Sequence, residues 1–311
     1  MNNQNQPLQT LKGFRDLLPA DKRARDFVTG KLKETFETFG FAPLETPTLE
    51  YASLLLGKYG AEADKLVYTF EDRGERRVGL RYDQTVPTAR VLTQYQGKLP
   101  QYFRRYQIQN VFRADKPQKG RYREFTQCDI DIFGSTSPLA DAEIVACVYQ
   151  ACRNVGFPAV ELRLNDRQVL MAALAPFATD AVSVFSIIQS VDKLDKMKPE
   201  DVAAELVKKG LSEAAAESVL SSIQKAEKSS NLQEIEQILS NMGVPAEAIR
   251  FTPTLARGLD YYTGMIFEIV IPQYGAGSCG GGGRYDNLIG DLGGPTVPAV
   301  GFAFGFDRLV E

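Results

Sequence analysis

The chain has no histidine and no tryptophan among its 311 residues. Without an imidazole there is no histidine general base, no Ser-His-Asp triad, no Cys-His pair and no histidine metal ligand. Any chemistry must run on Arg, Lys, Asp, Glu, Tyr, Thr, Gln or backbone groups. Cysteine is scarce: Cys128, Cys147, Cys152 and Cys279 are scattered, and no two form a C-x-x-C pair. That excludes a disulfide scaffold, makes no case for a cysteine zinc site, and favours a reducing compartment. Excess charge is missing as well. With 36 Lys+Arg against 39 Asp+Glu the net charge is -3, which excludes a binder working by bulk positive charge but not a local basic groove. No run approaches the roughly 18 apolar residues needed to cross a membrane. Met1 to Gln9 is polar, with no apolar core after a basic start, so no export signal is expected and the cytoplasm is the expected location.

What is present is an ordinary globular balance, with 44% hydrophobic and 24% charged residues. At roughly 100–200 residues per domain, the length suits about two domains or one domain carrying an insertion. Phe27, Val28, Leu32, Phe36 and Phe39 recur at helical spacing in Ala20–Phe39, and Gly40 ends that helix. Extended segments are expected at Phe41–Leu44, Val67–Phe70, Val78–Arg81, Tyr102–Phe112 and Val160–Leu164, with helices at Val86–Gln96 and Leu139–Val155. Glu124–Phe133 alternates, which puts Phe125, Gln127, Asp129 and Asp131 on one face. Composition then shifts toward Ala, Glu, Lys, Ser and Leu between about Gln168 and Arg250, with helix signals at Pro199, Ser212 and Asn231. Strands are expected again at Met265–Ile271 and Ala299–Phe306, with a flexible turn at Gly280–Gly283. Strands on both sides of a helical block suggest one sheet interrupted by an insertion.

Five segments could carry chemistry, and each has a plainer explanation. Arg113–Tyr122 joins two strands and carries Lys116, Lys119 and Arg121; guanidinium groups there would suit a triphosphate, but a solvated basic loop would look the same. The strand after it offers Gln127 and Asp131, acceptors for an ammonium or an imidazole N–H. In Ala256–Gly264 an arginine beside glycine precedes Tyr261 and Tyr262. Arg257 could neutralise charge on a transferring group, or sit on a surface turn. Gly280–Gly283 lets a backbone approach a ligand closely, yet has neither P-loop nor dinucleotide-fingerprint order. In Val300–Leu309 an arginine, Arg308, stands where a helix should begin and could stack on a purine. Asp83 and Thr85 could hold an ammonium, or Thr85 could cap the helix that follows.

Taken together and in this order, these segments resemble the catalytic region of the histidyl-tRNA synthetases, a class II aminoacyl-tRNA synthetase family. The resemblance runs from Gly13 to Arg308. It is most specific in FRADKPQKGRYREFTQCDID (Phe112 to Asp131), ARGLDYYTG (Ala256 to Gly264) and GFAFGFDRL (Gly301 to Leu309). The first and last look like class motifs 2 and 3, the middle one like the histidine-specific signature, and Gly40 to Pro47 like the motif 1 region of a dimer interface. The implied fold is α+β: an antiparallel sheet flanked by helices, with a helical insertion. The implied division is a catalytic core over residues 1–167, an insertion over 168–250 that touches the tRNA acceptor stem, and the rest of the core over 251–311. An anticodon-binding domain usual in the family is not expected within this chain.

The resemblance also implies roles. Arg113 would bind the α-phosphate and the histidine carboxylate, Arg121 the outer phosphates, and Arg308 the adenine face. Arg257 would act at the α-phosphate, where other class II enzymes use a metal. Asp83, Thr85 and Gln127 would hold the α-amino group; Asp131 and Tyr262 would read the imidazole; Tyr261 would line the pocket, with Gly280–Gly283 as its floor. Catalysis would rest on Arg113, Arg257 and Gln127. The substrates implied are histidine, ATP with Mg²⁺, and tRNA(His), in a homodimer with no membrane association and no protein metal ligand assigned. Lys116 stands where the family commonly has arginine, which touches phosphate or acceptor-end contacts. Two rivals remain: a non-catalytic paralogue that binds histidine and regulates ATP phosphoribosyltransferase, and a pure RNA- or partner-binding module. Retention of all four arginines counts against the first, and the acidic net charge counts against the second.

Overall fold

A computed structural model describes residues 8–58, 64–117, 121–257, 261–275 and 277–311. The strands, in chain order, are β1 (Ala42–Pro43), β2 (Leu49–Tyr51), β3 (Thr69–Glu71), β4 (Arg77–Leu80), β5 (Phe103–Phe112), β6 (Glu124–Phe133), β7 (Glu161–Asp166), β8 (Ile249–Phe251), β9 (Met265–Val270), β10 (Ser278–Arg284) and β11 (Ala299–Phe304). Eight of them form one sheet in the order β1-β5-β6-β11-β10-β9-β7-β8, and β2-β4-β3 form a small second sheet. From β5 to β7 every pairing in the large sheet is antiparallel, as expected. The edges differ, because β1 pairs with β5 and β8 with β7 in parallel.

Alternation in the central strands decides what each face of the sheet does. On β6, Cys128, Ile130 and Ile132 point into a core completed by Phe267, Ile269, Phe302 and Phe304 of the neighbouring strands. Two helices cover this face. Pro19–Thr38 contributes Val28, Leu32 and Phe36, and Pro138–Val155 contributes Ile144, Val148 and Ala151. Each fully buried side chain of this kind stabilises the fold by roughly 1.5–3 kcal/mol. All four cysteines are free and buried. Burial pushes the thiols of Cys128 and Cys147 up, away from the reactive thiolate. The opposite face carries polar side chains and is the one left for function.

The helical block lies between β7 and β8. Pro199 opens Pro199–Lys209, Gly210 closes it at φ 121° and Ser212 caps Glu213–Gln224, as read from sequence, while the third helix, expected from Asn231, runs Ser230–Asn241 with Ser229 as its cap. Asp166, fully buried, caps helix Arg167–Leu174 through Gln168 N (2.9 Å) and accepts from Ser229 Oγ (2.9 Å) and Asn231 Nδ2 (3.2 Å). One carboxylate at the end of β7 thus ties together the starts of the block's first and last α-helices. Helix Ser230–Asn241 buries Leu232, Ile235 and Leu239 in the core under the sheet. The last residues of the expected 168–250 insertion are sheet as well, since Ile249–Phe251 is a strand too short to show a period.

Two local expectations are corrected. The flexible turn over Gly280–Gly283 is the middle of strand β10, paired on both sides. The helix expected at Val86–Gln96 runs Thr85–Gln94, and it is Asp83, not Thr85, that takes the backbone N–H of Val86 (3.0 Å). A carboxylate two residues ahead of the helix reaches that orphan donor, and Thr85 is already in the first turn.

Candidate active site

The functional face can be built from strand register alone. One row across the sheet reads Gln107, Asp129, Ala303, Gly281, Glu268 and Arg163. The next reads Arg105, Asp131, Gly301, Gly283, Ile266 and Asn165. Each row is polar at its ends and small in the middle, so the face is a trough. The missing side chains make room for charged ones. A Cβ on Gly281 would lie 1.6 Å from Arg257 Nη1, and one on Gly301 would lie 1.8 Å from Asp131 Oδ1.

At one end of the trough, carboxylates surround one guanidinium. Arg105 is 1% exposed; its Nη2 lies 2.7 Å from Asp131 Oδ2 and 3.9 Å from Asp129 Oδ2. Tyr285 donates its hydroxyl to Asp131 Oδ1. Gln127 Nε2 donates to Asp129 Oδ2 at 2.7 Å, and Gln84 Nε2 fixes the strand by donating to Gln127 O (2.9 Å) and Gln109 O (3.1 Å). Burial pushes the Asp129 carboxyl up to about 7; Arg105 opposes the shift, and the charges of Asp131 and Asp83 add to it. Burial raises Asp131 too, against Arg105 and the Tyr285 hydrogen bond.

Next along the trough stands Arg257. Its φ of 45° is a left-handed conformation uncommon outside glycine. Nη1 donates to Glu268 Oε1 at 2.8 Å, and the guanidinium carbon sits 5.9 Å from the centre of the Tyr262 ring. Burial works against its charge, but Tyr262 and Glu268 outweigh burial and hold the arginine firmly cationic. The rings of Tyr261 and Tyr262 lie 4.6 Å apart, and Tyr261 meets Tyr285 edge-on at 6.2 Å. This aromatic wall links Arg257 to the Asp131 end. Beyond the Arg257–Glu268 pair a cavity of about 370 Å³ opens toward Asp192 and Asp195 of the helical block.

A separate cavity of about 210 Å³ is lined by Arg113, Arg121, Phe125, Gln127, Gly305 and Arg308, among others. Arg113 donates from Nε to Tyr82 O (3.1 Å), with its guanidinium 4.4 Å from the Tyr82 ring and 5.1 Å from that of Phe125. Arg308, on helix Phe306–Val310, donates to Ser278 O. Its neighbour Asp307 is held by Arg15 and Arg25, which fastens the start of the chain to this corner. Gln127 belongs to both the cavity and the carboxylate pocket. Among the described residues no group of three or more His, Cys, Asp or Glu side chains could hold a metal.

The sequence-expected residues therefore fall into contiguous groups: Arg113, Arg121, Arg308 and Gln127 around the cavity, then Gln127, Asp131 and Asp83 at the carboxylate end, then Arg257, Tyr261 and Tyr262. Thr85 opens the helix beside Asp83. Gly258–Asp260 and Lys119–Gly120, also read as part of these motifs, lie outside the described residues. Sequence reading missed Arg105, Glu268 and Tyr285. The signal for Glu268 was a single charge in an otherwise apolar strand, MIFEIV.

The histidyl-tRNA synthetase family model matches residues 13–309. A histidine–tRNA ligase of Rhodopirellula baltica is 40% identical over 97% of this chain and 73% of its own length. One from Gloeobacter violaceus is 39% identical over 97% of this chain and 74% of its own. The crystal structure of histidyl-tRNA synthetase from Nostoc sp. PCC 7120 superposes with a TM-score of 0.86 at 30% identity, covering 97% of this chain and 74% of that one. A structure described as an ATP phosphoribosyltransferase regulatory subunit/histidyl-tRNA synthetase from Bacillus halodurans superposes at 0.83 with 22% identity, over 98% of this chain and 82% of that one, a likeness of fold alone.

Proposed function

The chain belongs to the histidyl-tRNA synthetase family, and from that premise we propose that it activates histidine with ATP and passes the histidyl group to the 3′ end of tRNA(His). In the first step a histidine carboxylate oxygen bonds to the α-phosphorus and pyrophosphate leaves. In the second a terminal ribose hydroxyl of the tRNA attacks the carbonyl carbon and AMP leaves. Both steps are governed by positioning and by charge stabilisation, so they need no imidazole from the protein.

Arg113 is assigned to the α-phosphate and the histidine carboxylate, Arg121 to the outer phosphates and Arg308 to adenine. Their common cavity supports this, because it joins the carboxylate pocket through Gln127. Arg257 is assigned to the α-phosphate; its positive charge and its place above the glycines of strand β10 support that role. Asp83, Thr85 and Gln127 are assigned to the amino group, Asp131 and Tyr262 to the imidazole, and Tyr261 to the pocket wall. Mg²⁺ would arrive on the phosphates of ATP and neutralise their charge; no step is routed through a protein-bound metal.

The division into core (1–167), insertion (168–250) and core (251–311) is part of the same proposal, as are homodimerisation and a cytoplasmic site of action. Exposed Leu49, Tyr51 and Phe70 on the small sheet support a homodimer. No described helix is long and apolar enough to cross a membrane.

The observation that carries the reading is the cluster of Arg113, Arg121 and Arg308 beside the carboxylate pocket. A regulator that only senses histidine has no use for a triphosphate site. The test is acylation of a tRNA(His) transcript with labelled histidine. Charging that requires ATP supports the reading. Histidine binding with no ATP-dependent product would favour the regulatory paralogue instead.

A further inference from the structure

We propose that Asp129 is a direct contact for the substrate's α-ammonium group, added to the site assigned to Asp83, Thr85 and Gln127, and that it thereby sets the preference for an amino acid over its des-amino analogue. This rests on the proposed histidine site and assigns it a further residue. Three observations carry it. Asp129 is 4% exposed and stands on the same face of β6 as Gln127 and Asp131. Its Oδ1 and Gln127 Oε1 are both buried and have no hydrogen-bond partner among the described residues. The other atoms of the two groups are used on each other, Gln127 Nε2 donating to Asp129 Oδ2, so both free atoms are acceptors.

Buried acceptors without donors are costly, and each calls for a donor from a ligand or an ordered water. The charge balance points the same way. Arg105 is the cation facing Asp129 from β5, while Asp131 on its own strand and Asp83 ahead of helix Thr85–Gln94 face it as carboxylates. The remaining neighbours in its row, Gln107 and Ala303, are neutral. The pocket is therefore short of positive charge. An ammonium brings a full charge and three N–H donors, and Asp129 offers it a carboxylate beside the acceptors of Gln127, Asp83 and Thr85. Burial, with the carboxylates of Asp131 and Asp83, raises the proton affinity of Asp129 against Arg105, and a cationic group beside it would offset that rise.

The experiment compares histidine with 3-(imidazol-4-yl)propionate, which keeps the ring and the carboxylate but lacks the amino group. Both are titrated calorimetrically into the wild-type chain and into Asp129→Asn. The wild type should favour histidine. In Asp129→Asn histidine should weaken about tenfold or more, equal to about 1.4 kcal/mol, while the des-amino analogue should move less than about threefold. Retained analogue binding is also the check on folding; should Asp129→Asn not fold, Asp129→Ser is read the same way. Equal losses for both ligands, or an unchanged ratio, would overturn the assignment and leave Asp129 a structural partner of Arg105. A wild type that binds neither ligand would remove the histidine reading, and this inference with it.

Discussion

Replacing Gly281 with alanine should disable the enzyme while leaving it folded. The backbone at Gly281 lies outside the left-handed region, and the new Cβ would meet the far end of a flexible side chain rather than main chain. It would lie 1.6 Å from Arg257 Nη1 and 2.5 Å from the guanidinium carbon. To regain the 3.4 Å of ordinary contact, Nη1 must move by roughly 1.8 Å. Misplacing a reacting or stabilising group by about 1 Å can cost on the order of 100-fold in rate, equal to about 2.7 kcal/mol of transition-state stabilisation. Histidine-dependent ATP–pyrophosphate exchange in Gly281→Ala should therefore fall about 100-fold in kcat, with a melting temperature close to wild type. Gly282→Ala is the contrast. Its Cβ would lie 2.0 Å from Gly301 O, a backbone atom that cannot swing away, so that variant should lose stability first. Exchange in Gly281→Ala within threefold of wild type would refute the reasoning, since Arg257 would then not need its place above β10.

Glu268→Gln keeps an acceptor for Arg257 but removes the charge; kcat for exchange should fall roughly tenfold, with little change in KM for histidine, and unchanged kcat would count against a positioning role. Asp141 is the buried partner of Arg284, whose Nε lies 3.1 Å from both its carboxylate oxygens. Asp141→Ala should destabilise by about 3 kcal/mol, the lower end for a broken buried pair, because Asp286 still holds Arg284 at 2.9 Å; a calorimetric loss below about 1 kcal/mol would contradict this. Asp129 keeps its proton to about pH 7 when folded, against an ordinary value of 3.8. Its stabilising contribution is thus complete below about pH 4 and is lost as pH rises to 7, at no more than about 1.4 kcal/mol per unit. Denaturant midpoints from pH 4.5 to 8, without histidine, should show this slope in the wild type and not in Asp129→Asn, relative to the same background.

Strand β6 was legible to the residue in the sequence because its alternation is long and its two faces differ in polarity. The helix stops were legible for a similar reason, since proline, serine and glycine act locally. Strand β10 was not, because four consecutive glycines carry no pattern, and only pairing on both sides makes them a strand. The site's outline came from the order of its motifs, but its partnerships did not. Arg105 and Asp131 are 26 positions apart in sequence and opposite each other in register. The bond between Arg257 and Glu268 likewise joins residues 11 apart in sequence that no alternation pattern pairs. Asp129 was placed on this face by alternation, but its unpartnered oxygen is visible only in the structure.

The most direct test of the central claim is histidine-dependent ATP–pyrophosphate exchange by the wild-type chain, with Arg257→Ala beside it. Exchange that requires histidine and falls sharply in the variant is the predicted result. Histidine binding without exchange in the wild type would contradict it and would withdraw the catalytic roles given to Arg113, Arg121, Arg257 and Arg308.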